Sequence, residues 1–224
     1  MQQTVNLLVV GSIPTLGAKY IKKMKNFIQI GAGAGDLDDH YPDGFTNLVK
    51  SLPKDEIENI FLVEANPLNI PKLTECWKDY PQAHIFNIGI KPTSLTENKI
   101  TFYYAEEDGP NYQVFSMIKQ HVLKHLPNGT IKHIDIECVD INYFLQKYVK
   151  IKNIDLMAFD IEGVDAEVIL DIDWNKINCL DFSFENLHLG NSYDEIEKKL
   201  NQHGFKYIGN GLDLRGYDVM FSRK

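Results

Sequence analysis

The stretch FIQIGAGAGD, residues 27–36, decides the fold class of this chain. A short apolar run, typical of a buried strand, leads directly into Gly31, Gly33 and Gly35. Glycines at this point let the backbone turn sharply and leave main-chain N–H groups open to a ligand. The dinucleotide fingerprint G-x-G-x-x-G would need glycine at Asp36, whose carboxylate would also repel a pyrophosphate. The turn therefore predicts a ligand site that is not a NAD site, and a purely structural turn is the alternative.

An acid ends the second predicted strand. The run NIFLVEA, residues 59–65, places Glu64 at the tip of that strand. A carboxylate there can accept hydrogen bonds from both hydroxyls of a ribose. The segment 36–44 (DLDDHYPDG) is interpreted as an inserted acidic loop, which explains why Glu64 lies further from the glycines than in dinucleotide-binding domains. Glu64 is predicted to contact a ligand, and a solvated strand end is the alternative.

The rest of the chain alternates between short apolar runs and helical stretches. Further strands are predicted over residues 84–90, 154–161 and 179–184, and helices over residues 46–52, 69–80, 113–126, 166–170 and 193–203. This alternation predicts an α/β fold with a Rossmann-like doubly wound sheet of about seven strands, mostly parallel. Residues 205–208 and 217–222 predict a C-terminal hairpin with an antiparallel strand. Residues 99–105 and 133–139 are interpreted as extra strands.

Length and charge limit the class of protein. The chain has 224 residues, 44% of them hydrophobic, which suits a single domain over residues 1–224. Within it, residues 1–25 are expected to form an N-terminal arm, and residues 95–140 an insertion that carries the extra strands. The formal net charge of −8 disfavours nucleic acid as a partner, because an acidic field repels phosphates.

Cysteine use and hydropathy favour a cytoplasmic protein. Cys76, Cys138 and Cys179 form neither a disulfide framework nor a zinc motif. The apolar run at residues 7–10 is too short for a membrane span or a signal sequence. We therefore expect a cytoplasmic chain with no membrane span, and the oligomeric state stays open.

Four motifs together resemble one enzyme family. GAGAGD (31–36), VEANP (63–67), FDIEGVDAEVI (159–169) and FENLH (184–188) are similar in order and spacing to the FkbM-type S-adenosylmethionine-dependent methyltransferases, over residues 26–222. The string DIEG with AE two residues later, within 160–167, is the part most specific to that family. The resemblance implies the class I methyltransferase fold, S-adenosyl-L-methionine as cofactor, and O-methylation of a hydroxyl on a sugar, glycolipid or natural product. The implied partner is a small-molecule or glycan acceptor.

The same resemblance implies the cofactor site. The glycine turn would border the methionine part, the acid after the second strand would hold the ribose, and the NIG turn at 87–89 would flank the adenine. Asp160 would close the site near the methionine amine or the acceptor. The implied cofactor-binding residues are Gly31, Ala32, Gly33, Gly35, Glu64, Ala65, Asn66, Ile88, Gly89 and Asp160. Most of these enzymes have an acid two positions before the first glycine, where this chain has Gln29.

Catalytic candidates follow the fourth and fifth principal strands, where open α/β sheets place their ligands. His188 is the first choice of general base, because an ordinary histidine pKa of about 6.5 suits proton transfer near neutral pH. Asp160 is the alternative base, and a hydrogen-bonded structural histidine is an equal interpretation of His188. The expected substrate contacts are Tyr112, Ser116, Glu162 and Glu185. The segment 106–116, which would lie over the acceptor, is otherwise a surface loop.

A metal and a rival function complete the alternatives. Asp160, Glu162, Glu185 and His188 include ligands that Mg²⁺ accepts, but carboxylates cluster more often for other reasons, so no metal residues are assigned. His121 and His125 lack the glutamate of a zinc-protease motif and are interpreted as one helix face. The rival function is a non-catalytic binding protein with a degenerate methyltransferase fold, which Gln29 makes conceivable.

Overall fold

The computed structural model describes residues 23–37, 43–109, 114–187, 189–213 and 215–223. Within these ranges the strands are β1 (Lys25–Ile30), β2 (Ile57–Val63), β3 (Ala83–Phe86), β4 (Gly89–Lys91), β5 (Lys99–Ala105), β6 (Ile131–Asp140), β7 (Asn153–Phe159), β8 (Asn178–Glu185), β9 (Lys206–Asn210) and β10 (Asp218–Ser222). The helices are α1 (Gly44–Lys50), α2 (Ile70–Trp77), α3 (Lys119–His125), α4 (Ile141–Phe144), α5 (Asp165–Asp171) and α6 (Ser192–Gln202). Helix α4 continues as a π-helix over Leu145–Val149.

Seven strands form the main sheet, in the order β3-β2-β1-β7-β8-β10-β9. β10 runs antiparallel to both of its neighbours, and the other described pairs in this sheet are parallel. The prediction of a Rossmann-like doubly wound sheet with an antiparallel strand near the C-terminus is confirmed. The strand order reverses between β1 and β7, and open α/β sheets bind ligands at the carboxyl ends beside such a point.

Apolar side chains cover both faces of the main sheet. Five of the six residues of β1 are buried, as expected for a central parallel strand. Phe27 belongs to a core cluster with Phe45 and Trp77, whereas Ile28 belongs to a second cluster with Phe144 and many other apolar residues. Because successive side chains of a strand point to opposite faces, these two clusters fix β1 in the middle of three layers.

A smaller sheet of three strands stands beside the carboxyl ends of the main sheet. Its order is β4-β6-β5, with β4 parallel and β5 antiparallel to β6. Phe102 and Ile136 of this sheet pack with Phe115 in a separate apolar cluster. We refer to the smaller sheet, residues 114–118 and α3 together as the cap. β5 coincides with the predicted extra strand at 99–105.

The sequence predicts one strand over residues 84–90, but this segment contributes to two strands in different sheets. Asn87 stands between β3 and β4, and its Nδ2 donates to the backbone oxygens of Glu64 (2.9 Å) and Ala65 (3.1 Å). This side-chain amide takes the place of a regular backbone partner and turns the chain. β4 then pairs with β6 of the cap, so the single-strand prediction is wrong.

The predicted helix 113–126 is wrong in its first half, because α3 begins only at Lys119. Ser116 instead pairs with Tyr103 of β5 through two backbone hydrogen bonds of 2.7 and 3.1 Å. The Phe115 ring stacks on Phe102, with their centroids 5.1 Å apart. Long-range pairing with β5 thus overrides the local helical pattern.

Of the predicted N-terminal arm, residues 1–22 lie outside the described residues, and β1 already begins at Lys25. Among the helices in the described ranges, none combines the length and the apolar character that crossing a membrane requires.

Candidate functional site

A cavity of about 270 Å³ lies at the carboxyl ends of β1, β2 and β7. The turns after these strands supply much of its wall, at residues 29–35, 63–65 and 158–162. The start of α1 and the loop before β10 border it as well, and the cap contributes Phe102, Phe115 and Met117. The cavity therefore stands where the strand order reverses, which is the expected place for a ligand in this fold.

The glycine turn after β1 has a backbone that few other residues adopt. Gly31, Gly33 and Gly35 have φ angles of 83°, 53° and 61°. A Cβ on Gly31 would lie 1.6 Å from the carbonyl oxygen of Asp160, so the turn packs directly against the end of β7. A Cβ on Gly33 would meet no atom within 4 Å, and Gly33 lines the cavity. The turn thus leaves open space along one wall. Its N–H groups are not open to a ligand as expected, because those of Gly31, Ala32, Gly33 and Gly35 already bond Val63, Glu64 and Ala32.

Glu64 links the glycine turn to the segment after β2. Its Oε2 accepts a hydrogen bond from the backbone N–H of Gly33 (2.8 Å), and its Oε1 from that of Asn66 (2.7 Å). Burial raises the pKa of Glu64, while these two N–H groups act in the opposite direction. Each carboxylate oxygen has two acceptor positions, so Glu64 can still accept a hydrogen bond from a hydroxyl group in the cavity.

Acidic side chains gather at the ends of β7 and β8 and the start of β10. The members of this acidic cluster are Asp160, Glu162, Asp165, Glu185 and Asp218. Asp160 is exposed to the cavity at the end of β7. Desolvation by the cavity wall, then repulsion from Glu162 and Glu185, raises its pKa above the ordinary value. Desolvation and the neighbouring acids also raise the pKa of Glu185 to about 8. A carboxylate with a raised pKa is a stronger proton acceptor than an ordinary one.

The turn after β7 holds Glu162 in a left-handed backbone conformation, with a φ of 55°. Asp165, at the start of α5, accepts hydrogen bonds from the backbone N–H groups of Ile161 (3.0 Å) and Gly163 (3.2 Å). These bonds stabilise a conformation that is strained for a residue other than glycine and that occurs most often at functional sites. Glu162 lines the cavity from this turn.

Two residues of the cap contact Glu162. The hydroxyl of Ser116 donates to the Glu162 carbonyl oxygen (2.6 Å), and Nε2 of His121 lies 2.8 Å from Glu162 Oε2. His121 is buried and His125 is exposed, but their ring centroids lie 4.8 Å apart, which confirms their interpretation as one helix face. His121 and Glu162 are 41 residues apart in sequence, so no local sequence pattern indicates their hydrogen bond.

The residues expected from the sequence fall into three groups. Those that line the cavity are Gly31, Ala32, Gly33, Gly35, Glu64, Ala65, Ile88, Asp160 and Glu162. Those that lie near it without lining it are Asn66, Gly89, Ser116 and Glu185. Tyr112 and His188 lie outside the described residues.

Several cavity residues were not indicated by the sequence. Asp43 and Gly44 reach the cavity from the start of α1. Asp213 and Arg215 reach it from the loop before β10, and Asp218 from the first position of β10. Only the tertiary arrangement brings these segments beside the glycine turn. Within the described ranges, no three His, Cys, Asp or Glu side chains are arranged to hold a metal ion.

Comparison with known proteins gives a family match over most of the chain. Residues 29–207 match the methyltransferase FkbM domain. No curated protein matches the sequence.

Three solved structures are among those similar to this chain. Methyltransferase FkbM from Methylobacillus flagellatus has 13% identity and a TM-score of 0.49, covering 89% of this chain and 43% of its own. Aeropyrum pernix fibrillarin, in complex with S-adenosyl-L-methionine, has 12% identity and a TM-score of 0.43, covering 90% and 66%. The human methyltransferase 10 domain containing protein has 10% identity and a TM-score of 0.47, covering 90% and 73%. This chain therefore spans less than half of the first of these proteins.

Proposed function

The chain belongs to the FkbM methyltransferase family, and from that premise we propose that it is an S-adenosylmethionine-dependent O-methyltransferase whose acceptor is a hydroxyl of a sugar, glycolipid or natural product. The observation that carries the proposal is the composition of the one cavity at the strand reversal. A glycine turn and a buried carboxylate form one side of it, and acids with a raised pKa border the other.

The cavity wall fits the parts of S-adenosylmethionine. Open space over Gly33 accommodates a ligand beside the backbone, and a side chain at that position would fill it. Glu64 accepts from two backbone N–H groups and from Nδ2 of Asn69 (3.4 Å), and it retains one acceptor position for a ribose hydroxyl. The side-chain amide oxygen of Gln29, Oε1, is buried beside the cavity and has no hydrogen-bond partner among the described residues. It can therefore accept a hydrogen bond from a donor on the ligand. These three positions support binding of the cofactor through its nucleoside and its amino acid.

When bound, the cofactor supplies a methyl group on a positively charged sulfur, and transfer joins the acceptor oxygen to the methyl carbon as the sulfur–carbon bond breaks. Holding two reacting atoms in line can lower the barrier by up to about 7–11 kcal/mol. The cap supports this role, because Phe102, Phe115 and Met117 line the same cavity and reduce the access of water to it.

In this proposal Asp160 is the general base that accepts the proton of the acceptor hydroxyl, because it lines the cavity and has a raised pKa. Glu162 also lines the cavity, which supports a role for it in orienting the acceptor through a hydrogen bond. Glu185 does not line the cavity and acts only through Asp160, because repulsion between the two carboxylates raises the pKa of Asp160. His188, the first choice of base from the sequence, lies outside the described residues and is the alternative to Asp160 in this proposal.

Calorimetric titration with S-adenosylhomocysteine tests the cofactor part of the proposal. We expect micromolar binding to the wild type and a loss of tenfold or more in Glu64→Ala, because one charge-assisted hydrogen bond contributes about 1.5–3 kcal/mol. Glu58→Ala is the control, since Glu58 stands on the same strand but bonds Asn26 away from the cavity. Absence of binding to folded wild type would favour the degenerate, non-catalytic alternative.

Methyl transfer from radiolabelled S-adenosylmethionine to a panel of hydroxyl-bearing glycans, glycolipids and small natural products tests the acceptor part. Label that appears on a hydroxyl oxygen, and is lost in Asp160→Asn with S-adenosylhomocysteine binding retained, would support both the reaction and the base. Label found only on amines or on protein would contradict the proposed acceptor class.

A further inference from the structure

Gln29 and Asp43 form a polar pair on the cavity wall that the sequence pattern does not predict. Gln29 lies on β1, two residues before Gly31, and is 7% exposed. Its Nε2 donates to both carboxylate oxygens of Asp43, at 3.2 Å each. Both residues line the cavity. A carboxylate thus stands next to the position where most family members carry their own strand-one acid, but it comes from the start of α1.

The carboxylate of Asp43 fixes which way the Gln29 amide points. An amide oxygen facing the carboxylate would repel it, so the amide nitrogen must face Asp43 and the oxygen must point away. That oxygen, Oε1, is buried and has no hydrogen-bond partner among the described residues. Buried polar atoms are almost always bonded in folded proteins, and an exception beside a cavity indicates a missing ligand or water.

Asp43 itself is held in place by α1. Its carboxylate accepts from the backbone N–H groups of Phe45 (3.2 Å) and Thr46 (3.1 Å), and from the Thr46 hydroxyl. With the two bonds from Gln29, these donors occupy the roughly four acceptor positions of a carboxylate. Asp43 can therefore contribute its negative charge to a ligand, while the free acceptor is the Gln29 oxygen.

A close backbone contact with the loop before β10 fixes the start of α1 beside the cavity. A Cβ on Gly44 would lie 1.7 Å from the carbonyl oxygen of Leu212, which also lines the cavity. The glycine lets α1 approach the loop before β10 without a side chain between them. Asp43 is therefore held by the fold rather than by its own side chain alone.

We propose that the Gln29–Asp43 pair binds the α-ammonium group of S-adenosylmethionine. The side-chain oxygen Oε1 of Gln29 accepts a hydrogen bond from the ammonium, and the carboxylate of Asp43 balances the charge of the ammonium. A buried acceptor next to a fixed negative charge, beside a glycine turn, matches a small cation that carries N–H donors. The inference rests on the proposed cofactor and deepens it. It also decides between the two roles that the sequence left open for Asp160, because it leaves that carboxylate free for the acceptor.

Calorimetric titration with three related ligands tests the proposal, and it needs no methyl acceptor. The ligands are S-adenosylhomocysteine, its analogue with hydrogen in place of the α-amino group, and 5′-methylthioadenosine, which lacks the amino acid altogether. For the wild type we expect tenfold or greater preference for S-adenosylhomocysteine over the deaminated analogue. In Gln29→Leu this preference should fall below threefold, and in Asp43→Asn, which keeps a capping side chain, it should fall by an intermediate factor.

Two control variants and one control ligand separate the outcomes. Gln82 also has a buried, unbonded Oε1 but does not line the cavity, so Gln82→Leu should retain the wild-type preference. Asp160→Asn should retain it as well, and a collapse there instead would assign the ammonium to Asp160. Unchanged affinity for 5′-methylthioadenosine shows that the variants keep a folded nucleoside site.

The result that overturns the inference is an equal preference for the amino group in wild type and Gln29→Leu, with both binding 5′-methylthioadenosine. Failure of the wild type to bind any of the three ligands would instead remove the proposed cofactor. The two failures are therefore distinguishable in one set of titrations.

Discussion

At Gly31 the fold excludes every side chain through one contact. A Cβ there would lie 1.6 Å from the carbonyl oxygen of Asp160, in backbone with a φ of 83°. We expect Gly31→Ala to lower the free energy of unfolding by about 3 kcal/mol or more, because a left-handed conformation and a clash with β7 add together. Urea denaturation measures the change.

Gly204 is the matched control for this prediction. Its φ of 84° is nearly the same as that of Gly31, but a Cβ there would meet no atom within 4 Å. Gly204→Ala should therefore cost only about 1–2 kcal/mol, the conformational part alone. Equal losses in the two variants would show that the contact with Asp160 contributes nothing.

His121 and His125 show how two similar residues differ once the chain is folded. Nε2 of His121 lies 2.8 Å from Glu162, whereas His125 is exposed. We expect His121→Ala to destabilise the protein by about 1–3 kcal/mol, since it removes a buried hydrogen-bonded side chain. His125→Ala should change the free energy of unfolding by about 0.5 kcal/mol or less. Thermal or urea unfolding of the two variants gives the comparison, and equal effects would contradict the assigned role of the pair.

At the scale of elements, Ser116 connects the cap to the turn after β7. Its hydroxyl donates to the Glu162 carbonyl oxygen (2.6 Å) and accepts from the backbone N–H of Ile118 (3.0 Å). We expect Ser116→Ala to accelerate hydrogen exchange at the Ile118 amide and to lower the free energy of unfolding by about 0.5–1.5 kcal/mol, because two partly buried hydrogen bonds are lost.

Thr101 provides the control on the same smaller sheet. Its hydroxyl bonds Asp135 at an exposed position, 2.8 Å away. Thr101→Ala should leave the exchange rate of the Ile118 amide unchanged. If both variants accelerate that exchange equally, the cap is loosened generally, and the specific connection through Ser116 is refuted.

The sequence predicts elements well where one local pattern decides them. β5 lies within the predicted bounds. β1, β2, β7 and β8 each lie within two residues of theirs, because each is a short apolar run in the centre of the main sheet. The failures occur where distant partners decide. Asn87 bonds backbone oxygens that follow β2, and Ser116 pairs with Tyr103, so neither the strand break nor the late start of α3 has a local cause.

The same distinction applies to the candidate site. The glycine turn and Glu64 carry their own sequence pattern, and both line the cavity. Asp43 and Arg215 lie in loops with no recognisable pattern, and they reach the cavity only because α1 and the β9–β10 loop fold over it. Such contributions depend on the meeting of segments that are far apart in the chain.

At the scale of the whole molecule, the acidic cluster makes stability depend on pH. Its members come from the end of β7, the start of α5, the end of β8 and the start of β10. Desolvation and the nearby acids Glu162, Asp165 and Asp218 raise the pKa of Glu185 from 4.5 to about 8, and Arg215 opposes this. Desolvation also raises the pKa values of Asp165 and Asp218 from 3.8 to about 6.

Each of these groups favours the folded protein at lower pH. Between its ordinary pKa and its raised one, the folded state binds more protons than the unfolded state, so the free energy of unfolding falls as pH rises through that interval. For Glu185 the interval is 4.5 to about 8. His203, whose pKa is lowered by desolvation, opposes the trend near its ordinary value of 6.5. We expect the unliganded protein to be more stable at pH 6 than at pH 8.

Glu185→Gln isolates the contribution of one member of the cluster. It removes a carboxylate that must ionise in a desolvated, acidic environment, so it should raise stability at pH 8 by about 1–2 kcal/mol after allowance for solvent screening. At pH 6 the gain should be about half as large, because pH 6 lies part-way through the interval from 4.5 to about 8 over which this carboxyl lowers stability. Glu75→Gln, at an exposed residue paired with Lys78, should leave the difference between the two pH values unchanged. Urea unfolding at both pH values makes the measurement, and an unaltered difference in Glu185→Gln would show that this carboxyl is hydrated, with an ordinary pKa.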